Sequence, residues 1–291
     1  MWIILWIIQS FMNATWMILT KKIVENKVIW NNLQTLFNRW YHLVIVWLLF
    51  LVWFFNFEIT TTPFSTNDII ILLVATSWLY VTYPLRRIAY ANEKVSTLQP
   101  FAMLFQVFPV IIWFIFIASE KANFITFLSA IIASFIVIFS NIDFKKFKIN
   151  KYSLMVLTSS LIKSCQVFAT LYFLTKLNPA NFYFLETIII IIFSLSLMFV
   201  KKEFNEFKLL KKDYVYLLVF ANSIVIVSIL LALTMYSTLW VVATSLLSLL
   251  YLVFIYLLWY FIIKEVPSKK DIVITLLVSI CIVIGMYYKI T

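Results

Sequence analysis

One glycine and one histidine occur in 291 residues. A lone glycine, Gly285, excludes a glycine-rich phosphate loop, which needs several. A lone histidine, His42, and two cysteines leave no donor set at metal spacing. Cys165 and Cys281 lie in separate apolar stretches and give no disulfide framework. No metal and no cofactor are therefore expected. Asp and Glu number only 12, and no two of them share an apolar stretch, so the paired carboxylates of acid–base catalysis are missing and an enzyme is not expected. Long hydrophilic segments are missing too. With 12% charged residues, 64% hydrophobic residues and a mean hydropathy of +1.03, no soluble catalytic domain fits into the chain.

What fills the chain instead is a series of apolar stretches, each near the roughly 20 residues that cross a bilayer as a helix. They run from Trp2 to Thr20, Trp40 to Phe57, Ile69 to Ile88, Val95 to Ser119, Phe124 to Ser140, Tyr152 to Leu174, Pro179 to Val200, Tyr214 to Met235, Leu239 to Ile263 and Ile272 to Tyr288. Continuous runs without alternation predict helices, not barrel strands. Nineteen of the 23 Lys and Arg residues fall after the odd-numbered stretches, from Lys21 to Lys270, and only Lys121, Lys176 and Lys289 on the other side. Positive-inside placement puts the nineteen in the cytoplasm and both termini outside. The net charge of +11 is then mainly a topology signal; it suits anionic lipid headgroups and gives no reason to expect nucleic acid. The first stretch lacks a basic lead-in and is interrupted by Gln9, Ser10 and Asn13, so it reads as a permanent span.

The polar segment Asn141–Lys151 divides the chain into two halves of five spans: residues 1–141, a cytoplasmic linker at 142–151, and residues 152–291. In each half the third and fourth spans are joined by a very short connection, and the fourth ends on a glutamate, Glu120 or Glu265. A five-span unit followed by its copy enters the membrane from the opposite face. The expected fold is therefore an all-α membrane protein of ten transmembrane helices, built as two inverted five-helix repeats around a midplane site.

These features together resemble the drug/metabolite transporter superfamily, in particular its EamA-type members. The best local match is Ala232–Ser248, the long ninth span, Lys264-Glu265-Val266-Pro267 and the last span with Gly285. Ala89–Leu98 through Glu120 is a looser first-half counterpart. The chain departs from the family in having lysine where glycine usually precedes the glutamate, and in a charge pattern that places both termini outside. The resemblance implies a secondary transporter of small organic metabolites working by alternating access, as a monomer or homodimer. The Ile-, Phe-, Lys- and Asn-heavy usage fits an AT-rich genome and so leads to the expectation of a bacterial inner membrane. The alternative class is a non-transporting subunit or scaffold of a lipid-linked or envelope pathway.

Few residues could carry the chemistry. Lys163 lies mid-span, where a lysine costs on the order of 3 kcal/mol unless it is paired or hydrated. It is a candidate for binding a carboxylate or phosphate, such as that of an amino acid. Gln166 shares its helix face. Glu186, seven residues into the next span, is the expected partner of Lys163 or a proton site. Arg86 and Arg87 close the third span, as cytoplasmic anchors or as an anion-attracting lip. Asn13 and Gln9 share a face of the first span. His42, beside Trp40 and Tyr41, reads as an interfacial belt residue. Pro100 and Pro109 predict a kinked fourth span.

Overall fold

The computed structural model describes residues 2–25, 31–51, 64–93, 98, 101–102, 105, 108–109, 124–141, 151–202, 212–238, 250–258 and 269–290. Most of the expected fourth span with its Pro100 kink, the linker at 142–150, and both Glu120 and Glu265 lie outside them. The described part is all-helical. It forms α1 (Trp2–Glu25), α2 (Asn31–Leu51), α3 (Thr66–Asn92), α4 (Phe124–Asn141), α5 (Lys151–Leu174), α6 (Pro179–Lys201), α7 (Lys212–Thr238), α8 (Leu250–Leu258) and α9 (Lys269–Ile290). Four segments are long and apolar enough to cross a membrane: Thr66–Asn92, Lys151–Leu174, Pro179–Lys201 and Val215–Tyr236. The protein is thus a helical membrane protein. In hydrocarbon the backbone must satisfy its own hydrogen bonds, and a helix does so within one segment.

Local chemistry sets several ends. Ser65 caps α3 in a capping box, its hydroxyl accepting from the Asp68 amide while the Asp68 carboxylate accepts from the Ser65 amide. Asn178 caps α6, with Pro179 in the first turn where a missing donor is harmless. Lys202 ends α6 in the left-handed region at φ 57°, closing it with bonds to the Met198 and Phe199 carbonyls. The start of α2 differs from expectation. The helix begins nine residues before Trp40, so Arg39, counted above as a cytoplasmic loop charge, lies inside a helix.

The surface and the interior are inverted relative to a soluble protein. Ile69, Ile70, Leu73, Val74, Trp78 and Val81 of α3 face outward, as a lipid-facing side requires. Gln9, Arg39, His42, Thr82, Ser159, Ser160 and Asn222 are buried. Close helix contacts rest on small residues, the role glycine often fills. Ser160 and Ser164 of α5 donate to the Ala102 and Phe105 carbonyls. Thr126 of α4 donates to the carbonyl of Gly285 on α9 at 2.8 Å, placing the one glycine at a helix crossing.

The helix pairs follow a rule. The main ones are α1 with α7, α3 with α5, α2 with α6 and α4 with α9; lesser ones are α2 with α7, α3 with α6, α1 with α3, α5 with α7, α2 with α3 and α6 with α7. Numbered as the ten expected spans, these are 1·8 and 3·6, 2·7, 5·10, 2·8 and 3·7, 1·3 and 6·8, 2·3 and 7·8. Exchanging each span with the one five places away returns the same set. The contact of α1 with α8 maps in the same way onto the contacts of Ser160 and Ser164 with Ala102 and Phe105. Two pairs have no counterpart among the described residues: α5 with α6, because α1 with α2 is not a comparable contact, and α8 with α9, whose counterpart would involve the fourth span.

Candidate functional site

The site starts from α2. Thr35, Arg39 and His42, spaced by four and three residues, are buried on one helix face, and Gln34 is buried beside Thr35. Arg39 is 5% exposed. Its Nη1 donates to the Tyr183 hydroxyl at 3.4 Å and lies 3.9 Å from Glu186 Oε2, while Nη2 donates to the Tyr83 hydroxyl. The guanidinium carbon is 5.3 Å from the Tyr83 ring centroid and 5.7 Å from that of Tyr183. Two aromatic rings and one carboxylate together replace the water that this charge has lost.

A directed chain runs on from Arg39. The Asn222 amide nitrogen donates to Asn38 Oδ1 at 2.9 Å and to the Leu218 carbonyl at 2.7 Å. Its oxygen therefore faces His42 Nε2 at 3.0 Å and accepts from it. His42 Nδ1 is left as an acceptor, and the Tyr183 hydroxyl donates to it at 2.6 Å. Tyr183 in turn offers its oxygen to Arg39. Every bond in the series has one sense, which fixes the neutral Nε2–H form of His42. The belt reading of His42 is thereby corrected: only 4% exposed, it links α2 to α6 and α7.

The residues expected from sequence fall into three groups. Gln166 and Glu186 meet, with Gln166 Nε2 donating to Glu186 Oε1 at 2.8 Å. Lys163, at the middle of the 24-residue α5, does not pair with Glu186; Arg39 takes that place. Among the described residues Lys163 has no hydrogen-bond or ion-pair partner, and the charges acting on it are those of Arg86, Arg39 and Glu186. Arg86 turns inward from α3, with Nε donating to Ser159 Oγ at 2.6 Å and Nη2 to Ser160 Oγ at 3.3 Å. Arg87 lies 6.0 Å from the Tyr83 ring centroid. Asn13 stands apart, half-buried on α1; its neighbour Gln9 instead bonds Ser228 of α7 at 3.3 Å.

A second polar cluster ties α3 to the turn between α5 and α6. Asp68 Oδ1 accepts from Lys176 Nζ at 2.7 Å and from the Tyr172 hydroxyl at 2.6 Å. Lys176 also lies 4.5 Å from the Tyr172 ring centroid. Hydrogen bonding to Asp68 and Tyr172 raises the Lys176 ammonium above its usual pKa. Leu72, Phe173, Leu177, Phe182 and Leu230 belong to one apolar cluster, with Phe173 stacked on Phe182 at 6.0 Å.

No family model and no curated protein matches the sequence. Among solved structures, a chain described only as "Crystal structure of protein" superposes with a TM-score of 0.67 at 11% identity, over 96% of this chain and 97% of its own length. That likeness is one of fold, and it extends over nearly the whole of both chains.

Proposed function

We propose that this protein is a secondary transporter that moves small organic anions across a bacterial inner membrane by alternating access. In this reading the ten spans form two inverted five-helix repeats, the architecture that the likeness to EamA-type drug/metabolite transporters implies. The pairing rule supports the repeat, because contacts that survive exchange of the two halves are what a pseudo-two-fold axis in the membrane plane produces.

The single observation that carries the anion reading is the charge balance at the site. Arg39 and Arg86 both act on Lys163 there, while Glu186 is the one carboxylate that does so. Cations within a helix bundle persist where a counter-charge or water compensates them, and one carboxylate balances only one of the three. Lys163 contacts the substrate beside Gln166 on the same face of α5, Glu186 faces them from α6, and Arg39 holds Glu186 in place. Arg86 adds attraction, and Arg87 braces Tyr83. Asn13 lies outside this set.

Reconstitution tests the proposal. Liposomes containing the purified protein are expected to take up labelled carboxylates or phosphates from a small-metabolite panel faster than empty liposomes do. Lys163→Ala is expected to abolish that uptake. If no anion enters faster than in empty liposomes, the transport reading fails. Uptake of every anion at full rate by Lys163→Ala would remove the site assignment.

A further inference from the structure

The charge inventory goes further than the sign of the substrate. Glu186 is the one Asp or Glu within the ten apolar stretches, a statement that covers the whole sequence. Its carboxylate is committed, one oxygen to Gln166 at 2.8 Å and the other facing Arg39 at 3.9 Å. Lys163 and Arg86 are left with no acidic partner among the described residues.

These two cations share one place. Arg86 reaches from α3 to Ser159 and Ser160 of α5. Lys163 is four and three residues further along α5, so it projects from the same face, one turn away. The serines take the Nε and Nη2 groups of Arg86, and Nη1 has no partner among the described residues. Among the described residues, an ammonium and an unengaged guanidinium amino group thus share this face between α3 and α5. In a low-dielectric interior two adjacent like charges repel, and among the described residues neither is ion-paired with a carboxylate.

We infer that the substrate is a small dianion, a dicarboxylate or a phosphate monoester, whose two negative charges are matched by Lys163 and Arg86. The inference rests on the transport reading and narrows it: Arg86 is part of the binding site, not only a lip at its mouth. The serines act as positioning residues that hold the guanidinium toward α5. A monoanion would leave one of the two cations unmatched, and a neutral solute both.

Two matched pairs test this by thermal unfolding of the full chain in detergent at pH 8. Succinate is compared with its half-amide succinamate, and methyl phosphate with dimethyl phosphate; within each pair size is similar and charge differs by one. A charge-assisted hydrogen bond is worth enough to change affinity by about tenfold. In at least one pair the dianion should therefore half-stabilise the protein at about a tenth of the concentration its partner needs. Lys163→Gln and Arg86→Gln should each erase the difference. Lys163→Arg should keep it, which separates loss of charge from loss of fold. Equal stabilisation within both pairs overturns the inference, as does a preference that survives both glutamine variants. Equal binding alongside measured uptake leaves the transport reading standing, whereas no binding and no uptake of any anion removes both.

Discussion

A guanidinium buried between helices needs more than one carboxylate, and Arg39 has two tyrosines besides Glu186. The roles in this group are unequal. Removing the Tyr183 hydroxyl strands both the acceptor nitrogen of His42 and one N–H of Arg39, so Tyr183→Phe should lower stability by about 1–3 kcal/mol. Denaturation in detergent measures it. Coupling between Arg39 and Glu186 is expected to be stronger. Arg39→Met and Glu186→Leu each leave a charge without its partner, at about 3–5 kcal/mol, while the double variant should cost clearly less than the sum. Strict additivity would mean that the two charges do not act on each other. The sequence revealed Lys163, Gln166 and Glu186 because each is a polar residue isolated in an apolar run. Arg39 was hidden because Asn38 precedes it and Trp40 and Tyr41 follow it, the usual pattern of a membrane interface. The choice of Arg39 over Lys163 as partner of Glu186 was equally hidden, since depth along two helices says nothing about their rotation.

At the scale of elements, α3 and α5 form a pair with a lock at each end. At one end Arg86 bonds Ser159 and Ser160; at the other Asp68 holds Lys176 and Tyr172. The Asp68 end has a pH signature of known sign. Lys176 has a folded pKa above its ordinary 10.5, so its stabilisation is complete below pH 10.5 and disappears as pH rises through the folded value. Wild type should be more stable than Lys176→Met at neutral pH, and the gap should close only in strong alkali. A gap that closes by pH 9 would show that the ion pair does not hold in solution. Helix existence and order were legible from hydropathy. The early start of α2 was not, because Asn31–Asn38 is polar and a membrane helix that continues into polar sequence leaves no mark in an apolar-run count.

At the scale of the whole molecule, orientation and mechanism come together. In the proposed topology the turn between α5 and α6 is expected outside and the end of α6 in the cytoplasm, because Lys and Arg favour the cytoplasmic side. With Cys165 and Cys281 replaced by serine, a cysteine at 176 should react with an impermeant thiol reagent added outside intact cells. A cysteine at 202 should react only after the membrane is opened. The reverse pattern would invert the topology. Matching loop order suggested two similar halves. Which helices touch was not legible, because that depends on small-residue contacts such as Ser160 with Ala102.

A single site exposed alternately to the two sides makes entry of a labelled anion faster when the same unlabelled anion waits inside, because the carrier returns loaded. Counterflow in proteoliposomes measures this directly. The account predicts saturable entry of labelled dianion that is accelerated by preloading and lost in Lys163→Gln. Entry that ignores preloading, or that persists undiminished in that variant, would contradict it.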